Sequence, residues 1–307
     1  MKTTEAGDAL KADLPQNLWG KVFAATPIVM TVMATILAGL SSSEMTRAQY
    51  ERAFAAQMQS KAGDQWGLFQ AKRVRSAVER STLDLLSASF ELSDVGAAAE
   101  SSAAFRQVAE TDRFRDALRA AGTPAPTAAS ADRDADPAVA AAITALESSA
   151  SEADMSALVA KLDKTALDSA LERALGRVRE FEKAAAPGEE AIAYLDSALS
   201  GRGADLGVIR DMTALRLRSE ALRYDQEARL NRAVANAYEL LVRKGNLSAE
   251  RHHLRSERFF YGMLGAQLAV IVATFAMAAR QRNLLWSFAA TAGLAAVGFA
   301  LYVYLNV

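Results

Sequence analysis

The chain has 307 residues, 51% of them apolar, with 35 basic and 36 acidic side chains and a net charge of −1. That balance excludes the strong basic excess of a protein built to bind nucleic acid. The lack of cysteine excludes disulfides, thiolate catalysis and cysteine-held zinc, and six prolines with 7% aromatics argue against an all-β fold.

Three stretches, 22–43, 259–279 and 283–307, contain no Asp, Glu, Lys or Arg. Each is long enough to cross a hydrocarbon layer about 30 Å thick, which takes roughly 20 helical residues. The chain therefore reads as an all-α membrane protein: three transmembrane helices, a long antiparallel, coiled-coil-like helical stalk, and an Ala-rich helical cap. After a tail over 1–20, the first transmembrane helix is placed at 21–41. Its apolar run is longer than a cleaved signal normally has, and Glu5, Asp8 and Asp13 precede it, so it reads as an uncleaved anchor.

No proline separates this segment from a stalk helix over 42–92, in which Tyr50, Phe54, Met58, Ala62, Trp66 and Phe69 recur every three or four residues. The cap, 93–204, is more broken. A helix over 102–121 stops at Gly122, and a linker over 122–136 follows. Asp136 before Pro137 starts another helix. Ser151 with Asp154 and Thr165 with Asp168 are capping pairs that open helices over 152–163 and 166–185. Pro187–Gly188 and Gly201–Arg202–Gly203 are read as breaks. The return stalk helix, 205–258, carries Leu230, Val234, Ala237 and Leu241 on one face, with a stop at Gly245–Asn246 and a restart capped by Ser248.

Transmembrane helices at 259–279 and 283–305 are joined by the short turn Arg280–Gln281–Arg282 and must form a hairpin. Aromatic residues fit the boundaries, with Trp19 and Trp286 at one side and Phe259, Phe260, Tyr261, Tyr302 and Tyr304 at the other. The basic turn, with Lys11 and Lys21 on its side, favours a cytoplasmic N-terminus and an extracytoplasmic body. Arg251, Arg255 and Arg258, with Arg47 and Arg52, weigh the other way. Small residues form stripes through the hairpin, chiefly Gly262, Gly265 and Ala266 in one helix and Gly293 in the other. Such stripes permit close packing within the hairpin or between subunits. Gln267 is the one strongly polar side chain deep in a segment, Thr31 and Thr35 are polar residues that could join it, and no charge lies inside one.

The run Gly63-Asp64-Gln65-Trp66-Gly67-Leu68-Phe69-Gln70-Ala71-Lys72 resembles a stretch of an uncharacterised bacterial membrane family, domain of unknown function 4337. That family's Asp-Gln-Trp run and Gln-Ala-Lys follow its first span, and its members end in a two-span hairpin with a basic turn. The resemblance covers about 20–90 and 250–305; Gly63, Gly67 and Phe69 stand where Ser, Ala and Tyr would be usual. It implies an architecture and no activity. Physically, Gly63 and Gly67 share a helix face beside Trp66, which points to a close crossing within one subunit or between subunits. Trp66 reads as core, with Asp64, Gln65, Gln70 and Lys72 as a polar network beneath it or a solvated face.

The chemistry of known enzymes is not visible. No phosphate-binding Gly-rich loop and no Gly-x-Ser-x-Gly elbow occur, and the two histidines, His252 and His253, are adjacent and diverge on a helix. No catalytic residue, metal ligand or cofactor site is therefore assigned. Arg210, Arg216, Arg218, Arg223, Arg229 and Arg232, interleaved with acids, read as salt-bridged helix packing, with an anionic partner as the alternative. The resulting expectation is a non-enzymatic, self-associating scaffold, adaptor or envelope organiser in the bacterial inner membrane. Its partners would be the lipid bilayer, further copies of itself and a protein held at the cap, not nucleic acid. An oligomeric channel or transport accessory, with Thr31, Thr35 and Gln267 facing a lumen, is the alternative.

Overall fold

The computed structural model describes residues 18–103, 105–123, 136–199, 205–278 and 282–306. Helices dominate, and no strand occurs among the described residues. In chain order they are α1 (Leu18–Ser89), α2 (Val95–Ser101), α3 (Arg106–Ala109), α4 (Asp112–Gly122), α5 (Pro137–Glu147), α6 (Glu152–Lys161), α7 (Lys164–Leu199), α8 (Leu206–Ala278) and α9 (Arg282–Asn306). α1, α8 and α9 are long and apolar enough to cross a membrane. Two compact units result: an apolar bundle of Met1–Phe54 with Gly245–Val307, and a helical body of Ala55–Lys244. Lys11, the turn residues Arg280 and Gln281, the Gly201–Arg202–Gly203 break and most of the linker lie outside the described residues.

In the helical body, side chains start most of the short helices. Asp94 accepts from the Gly96 and Ala97 amides at 2.9 and 3.2 Å, and Thr111 accepts from Phe114 N at 3.3 Å. Asp136 caps α5, with Pro137 in the first turn. Ser151 accepts from Asp154 N at 3.2 Å and donates to the Asp154 carboxylate at 2.6 Å, so this pair caps α6. The pair Thr165–Asp168 does not form. The Thr165 hydroxyl donates to Asp163 instead, and α7 starts at Lys164.

Three further sequence readings are corrected. The helix expected over 102–121 is two short helices, α3 and α4, with α2 ending before it at Ser101. Phe105 and Phe114 are both fully buried in one cluster with Val95, Leu195 and Val208. In a single helix, nine residues at about 100° each would point those two rings to opposite sides. Pro187–Gly188 does not end α7, which continues to Leu199. Burial of Ala191, Ile192, Leu195 and Leu199 beyond the proline offsets the ~3 kcal/mol that an internal proline costs. Gly245–Asn246 does not stop α8 either. Gly245 is buried, as is Ala249 one turn on, and that outweighs the ~1 kcal/mol penalty of a helical glycine.

The body core is deeper than an Ala-rich composition implies. Val234, Ala235, Ala237, Tyr238, Leu240, Leu241 and Val242 are all buried, so this part of α8 is enclosed on several sides rather than along one stripe. On α1 the buried line in the body is Ala55, Met58 and Ala62, with Trp66 and Phe69 half-buried. Tyr50 lies in the other unit and is 67% exposed, so the six-residue stripe is not continuous.

After α5 the chain turns through Ser149 at φ 55°, with Ala150 N donating to Ala145 O at 3.0 Å and Ser149 N to Leu146 O at 3.2 Å. This is a left-handed helix end that usually carries glycine. Ser149→Gly should therefore raise stability by ~0.5–1 kcal/mol, since only the serine bears the Cβ penalty. Urea unfolding of the helical body, followed by circular dichroism, reads the change.

Candidate functional site

The apolar bundle packs through small residues. Ala34, Leu37, Phe259, Ala266, Ala296 and Val303 form its core, with Met263 against it. A methyl group built on Gly262 would meet Leu37 at 3.5 Å and Phe299 at 3.9 Å, and one on Gly265 would meet the Ala296 methyl at 3.6 Å. Gly293 sits directly against the thioether end of Met30, which would have to swing aside for a Cβ. Trp286 Nε1 donates to Thr26 Oγ1 at 3.2 Å, which ties α9 to α1. Gly262, Gly265, Ala266 and Gly293 thus serve contacts within one chain.

Three of the polar side chains come together. Thr31, Thr35 and Gln267 line one groove of about 490 Å³ with Ala34, Ala38, Val270 and Ile271. Thr31 Oγ1 donates to Pro27 O at 2.8 Å, and Thr35 Oγ1 to Thr31 O at 2.9 Å. Both hydroxyl protons are therefore committed to their own helix, and what the threonines offer the groove is oxygen lone pairs. Gln267 is exposed and makes no hydrogen bond with the described residues.

Where α1 and α8 leave the apolar run, the sequence reading missed a polar clasp. Ser41 Oγ donates to Ser256 O at 2.9 Å, and Ser256 Oγ donates to Ser41 O at 2.8 Å. One turn further out, His252 Nδ1 lies 2.5 Å from Glu44 Oε2, which also takes part in an ion pair with Arg47 through Oε1 at 3.3 Å. Serine and histidine at a polar boundary look like ordinary solvated residues, and only the register of the two helices makes them partners. His253 diverges from His252, as its position predicts, and its Nδ1 is buried without a hydrogen bond.

In the body, Gly63 and Gly67 mark no crossing inside the chain. A methyl group at either meets no atom within 4 Å. Trp66 is half-buried and packs edge-to-face on Phe69, with centroids 5.5 Å apart. The polar network beneath it does not form, because Lys72 pairs with Glu227 at 2.5 Å and lies over the Tyr224 ring, while Asp64 and Gln70 are exposed. The arginines of α8 are largely in ion pairs: Arg229 with Asp225 at 3.1 Å, Arg232 with Glu147 at 3.2 Å, and Arg243 with Glu152 at 2.8 Å. Arg210 meets Asp211 at 3.3 Å and Arg216 meets Asp196 at 3.9 Å, while Arg218 has no ion pair among the described residues.

A second groove, about 550 Å³, opens where Pro187 and Gly188 interrupt the bulk of α7. Ala120, Ala184, Ala185 and Ala193 form its apolar wall, and Arg216, Arg223 and Glu189 line its polar side. Burial works against the charge of Arg223, but Glu189, hydrogen-bonded to it, and Glu227 beside it hold the guanidinium above the ordinary arginine value. Among the described residues no three His, Asp or Glu side chains cluster as a metal site would require.

Residues 19–162 match the family model described as Domain of unknown function (DUF4337). The Gly63–Lys72 run falls inside this match. The match runs on to residue 162, beyond the resemblance visible by eye, and it does not include 250–305. Alanine-rich helices present few distinctive side chains, which is why similarity over 90–162 escapes residue-by-residue reading. No curated protein and no solved structure matches the chain.

Two glycine substitutions separate the packed positions from the open ones. Gly265→Leu forces an isobutyl group against Ala296 and should destabilise the bundle by ~1–3 kcal/mol. Gly67→Ala meets nothing and should stabilise α1 by up to ~1 kcal/mol. Thermal unfolding of both variants in one detergent gives the comparison.

Proposed function

We propose that the protein is a non-enzymatic, self-associating scaffold or adaptor of the bacterial inner membrane, with its N-terminus cytoplasmic and its helical body extracytoplasmic. α1, α8 and α9 supply the three membrane crossings. In the body, α1 and α8 act as an antiparallel, coiled-coil-like stalk. The contacts that support this are Lys61 over Tyr238, Lys72 with Glu227, and Ser76 Oγ donating to Ala221 O at 2.9 Å. Residue numbers rise on one helix as they fall on the other. α2–α7 form the cap, and the alanine groove beside Pro187 is its surface for a protein partner.

The observation that carries self-association is the exposed, unpartnered amide of Gln267 in a groove with Thr31 and Thr35. Gln267 lies eight residues into its uncharged run, near mid-membrane. There an amide has no water to bond, and leaving it unpaired costs several kcal/mol. Every copy carries this amide at the same depth. A glutamine both donates and accepts, so two copies can satisfy each other or the threonine oxygens. Interhelical bonds of this kind contribute about 0.6–2 kcal/mol each.

Gln267→Leu should shift the chain toward smaller species, while Gln267→Asn retains association. Mass photometry of chains extracted into native-membrane nanodiscs measures both. A single species unchanged by Gln267→Leu would sink the proposal. The same polar groove supports the channel or transport-accessory reading, in which these residues line a lumen between copies; planar-bilayer conductance abolished by Gln267→Leu would favour it.

A further inference from the structure

We infer that Arg251, Arg255 and Arg258 form a binding site for the phosphate of an anionic phospholipid. The inference rests on the membrane placement proposed above and is independent of self-association. The three arginines precede the uncharged run that begins at Phe259. Their spacing of four and three residues keeps them on one face of α8, and the same rhythm continues through Gly262, Gly265 and Ala269.

That face changes character along its length. Along the apolar run it carries small residues because α9 packs on it, with Phe299 at Gly262 and Ala296 at Gly265. The pairing is antiparallel there, since the α9 number falls as the α8 number rises. Extending the register puts Arg258 level with Val303 and Arg255 level with Asn306, so the arginines continue the line of α8 that faces α9.

These arginines lack what most others on α8 have, Arg218 excepted. Arg223, Arg229, Arg232 and Arg243 each pair with a carboxylate. Arg251, Arg255 and Arg258 have no ion pair with the described residues, and Arg255 Nε is buried without a hydrogen bond. Two nearby acids are engaged elsewhere, Glu44 with Arg47 and His252, and Glu257 with the Tyr261 hydroxyl at 3.0 Å, and exposed Glu250 pairs with none of the three arginines. Three guanidinium groups at one boundary need an anion that lies at that depth.

Depth identifies the anion. At about 1.5 Å per residue, Arg258 stands ~1.5 Å, Arg255 ~6 Å and Arg251 ~12 Å above Phe259. The headgroup layer extends roughly 5–8 Å beyond the hydrocarbon. Arg258 and Arg255 therefore stand within the phosphate layer, and Arg251 reaches it by bending its long side chain toward the membrane. Guanidinium binds phosphate oxygens in a two-pronged fashion, and a lipid with net negative charge is favoured over a zwitterionic one.

The test uses the full chain in detergent, titrated with phosphatidylglycerol or phosphatidylcholine of the same acyl chains and read by native mass spectrometry. Wild type should retain phosphatidylglycerol with roughly tenfold preference. Arg251→Gln/Arg255→Gln/Arg258→Gln should lose that preference, while Arg229→Gln, in the body, keeps it. Equal retention of the two lipids by wild type would overturn the inference. So would a triple variant that is less stable yet equally selective, since the arginines would then serve only to balance the negative end of α9. If the triple variant does not fold, Arg255→Lys decides: reduced preference supports a phosphate site, and unchanged preference overturns it.

Discussion

The reciprocal hydroxyl-to-carbonyl bonds between Ser41 and Ser256 set the register on which the apolar bundle depends. Apolar helices in lipid slide against one another at little cost, because lipid tails solvate them as well as other side chains do. A pair of bonds that satisfies both hydroxyls and both carbonyls at one level removes that freedom. Four residues deeper along α1 and six along α8, Leu37 meets the bare backbone of Gly262. One further turn brings Thr31, Thr35 and Gln267 to one groove. On the other side of the clasp, Glu44 faces His252. A one-residue slip of either helix would rotate all of these apart by about 100°.

The helical body solves a different problem with similar residues. Water is available there, so apolar burial drives assembly, yet alanine contributes little area per residue. The body compensates by enclosing a few large side chains completely, notably Phe105 and Phe114 against Leu195 and Val208. Long-range ion pairs hold the periphery. Glu147 receives Arg232 and Asn236, Glu152 receives Arg243, and Lys244 donates to Ala160 O at 3.1 Å. Exposed pairs of this kind add little stability individually. Together they fix which face of α8 carries α5 and α6.

The three apolar segments were legible because absence of charge over twenty residues is a strong signal that needs no partner to interpret. Local caps were legible where one side chain satisfies its own helix, as at Asp136 and Ser151. Breaks were overestimated. Pro187 and Gly245 are local breaking signals, and burial of distant residues overrides both. The same limit explains the candidate sites. Thr31, Thr35 and Gln267 stood out as polar residues in apolar runs, but their convergence on one groove depends on the register of α1 and α8. Gly63 and Gly67 stood out equally, yet a methyl group at either meets none of the described residues, since a glycine pair advertises close approach without naming what approaches.

The distribution of unpaired polar groups separates the two units more sharply than hydropathy does. In the body, cations on α8 largely find carboxylates within the same chain, even across the bends of the cap. In the apolar bundle the pattern reverses. Gln267, His253 and the Arg251–Arg255–Arg258 face hold polar atoms that the described residues leave without partners. Such groups are most costly where water is scarce, and that cost is what motivates both proposals. The unmet bonds lie at two depths: an amide near mid-membrane and cations at the boundary. A neutral amide is matched by another amide and a guanidinium by a phosphate, so the two proposals draw on different chemistry at different positions along α8.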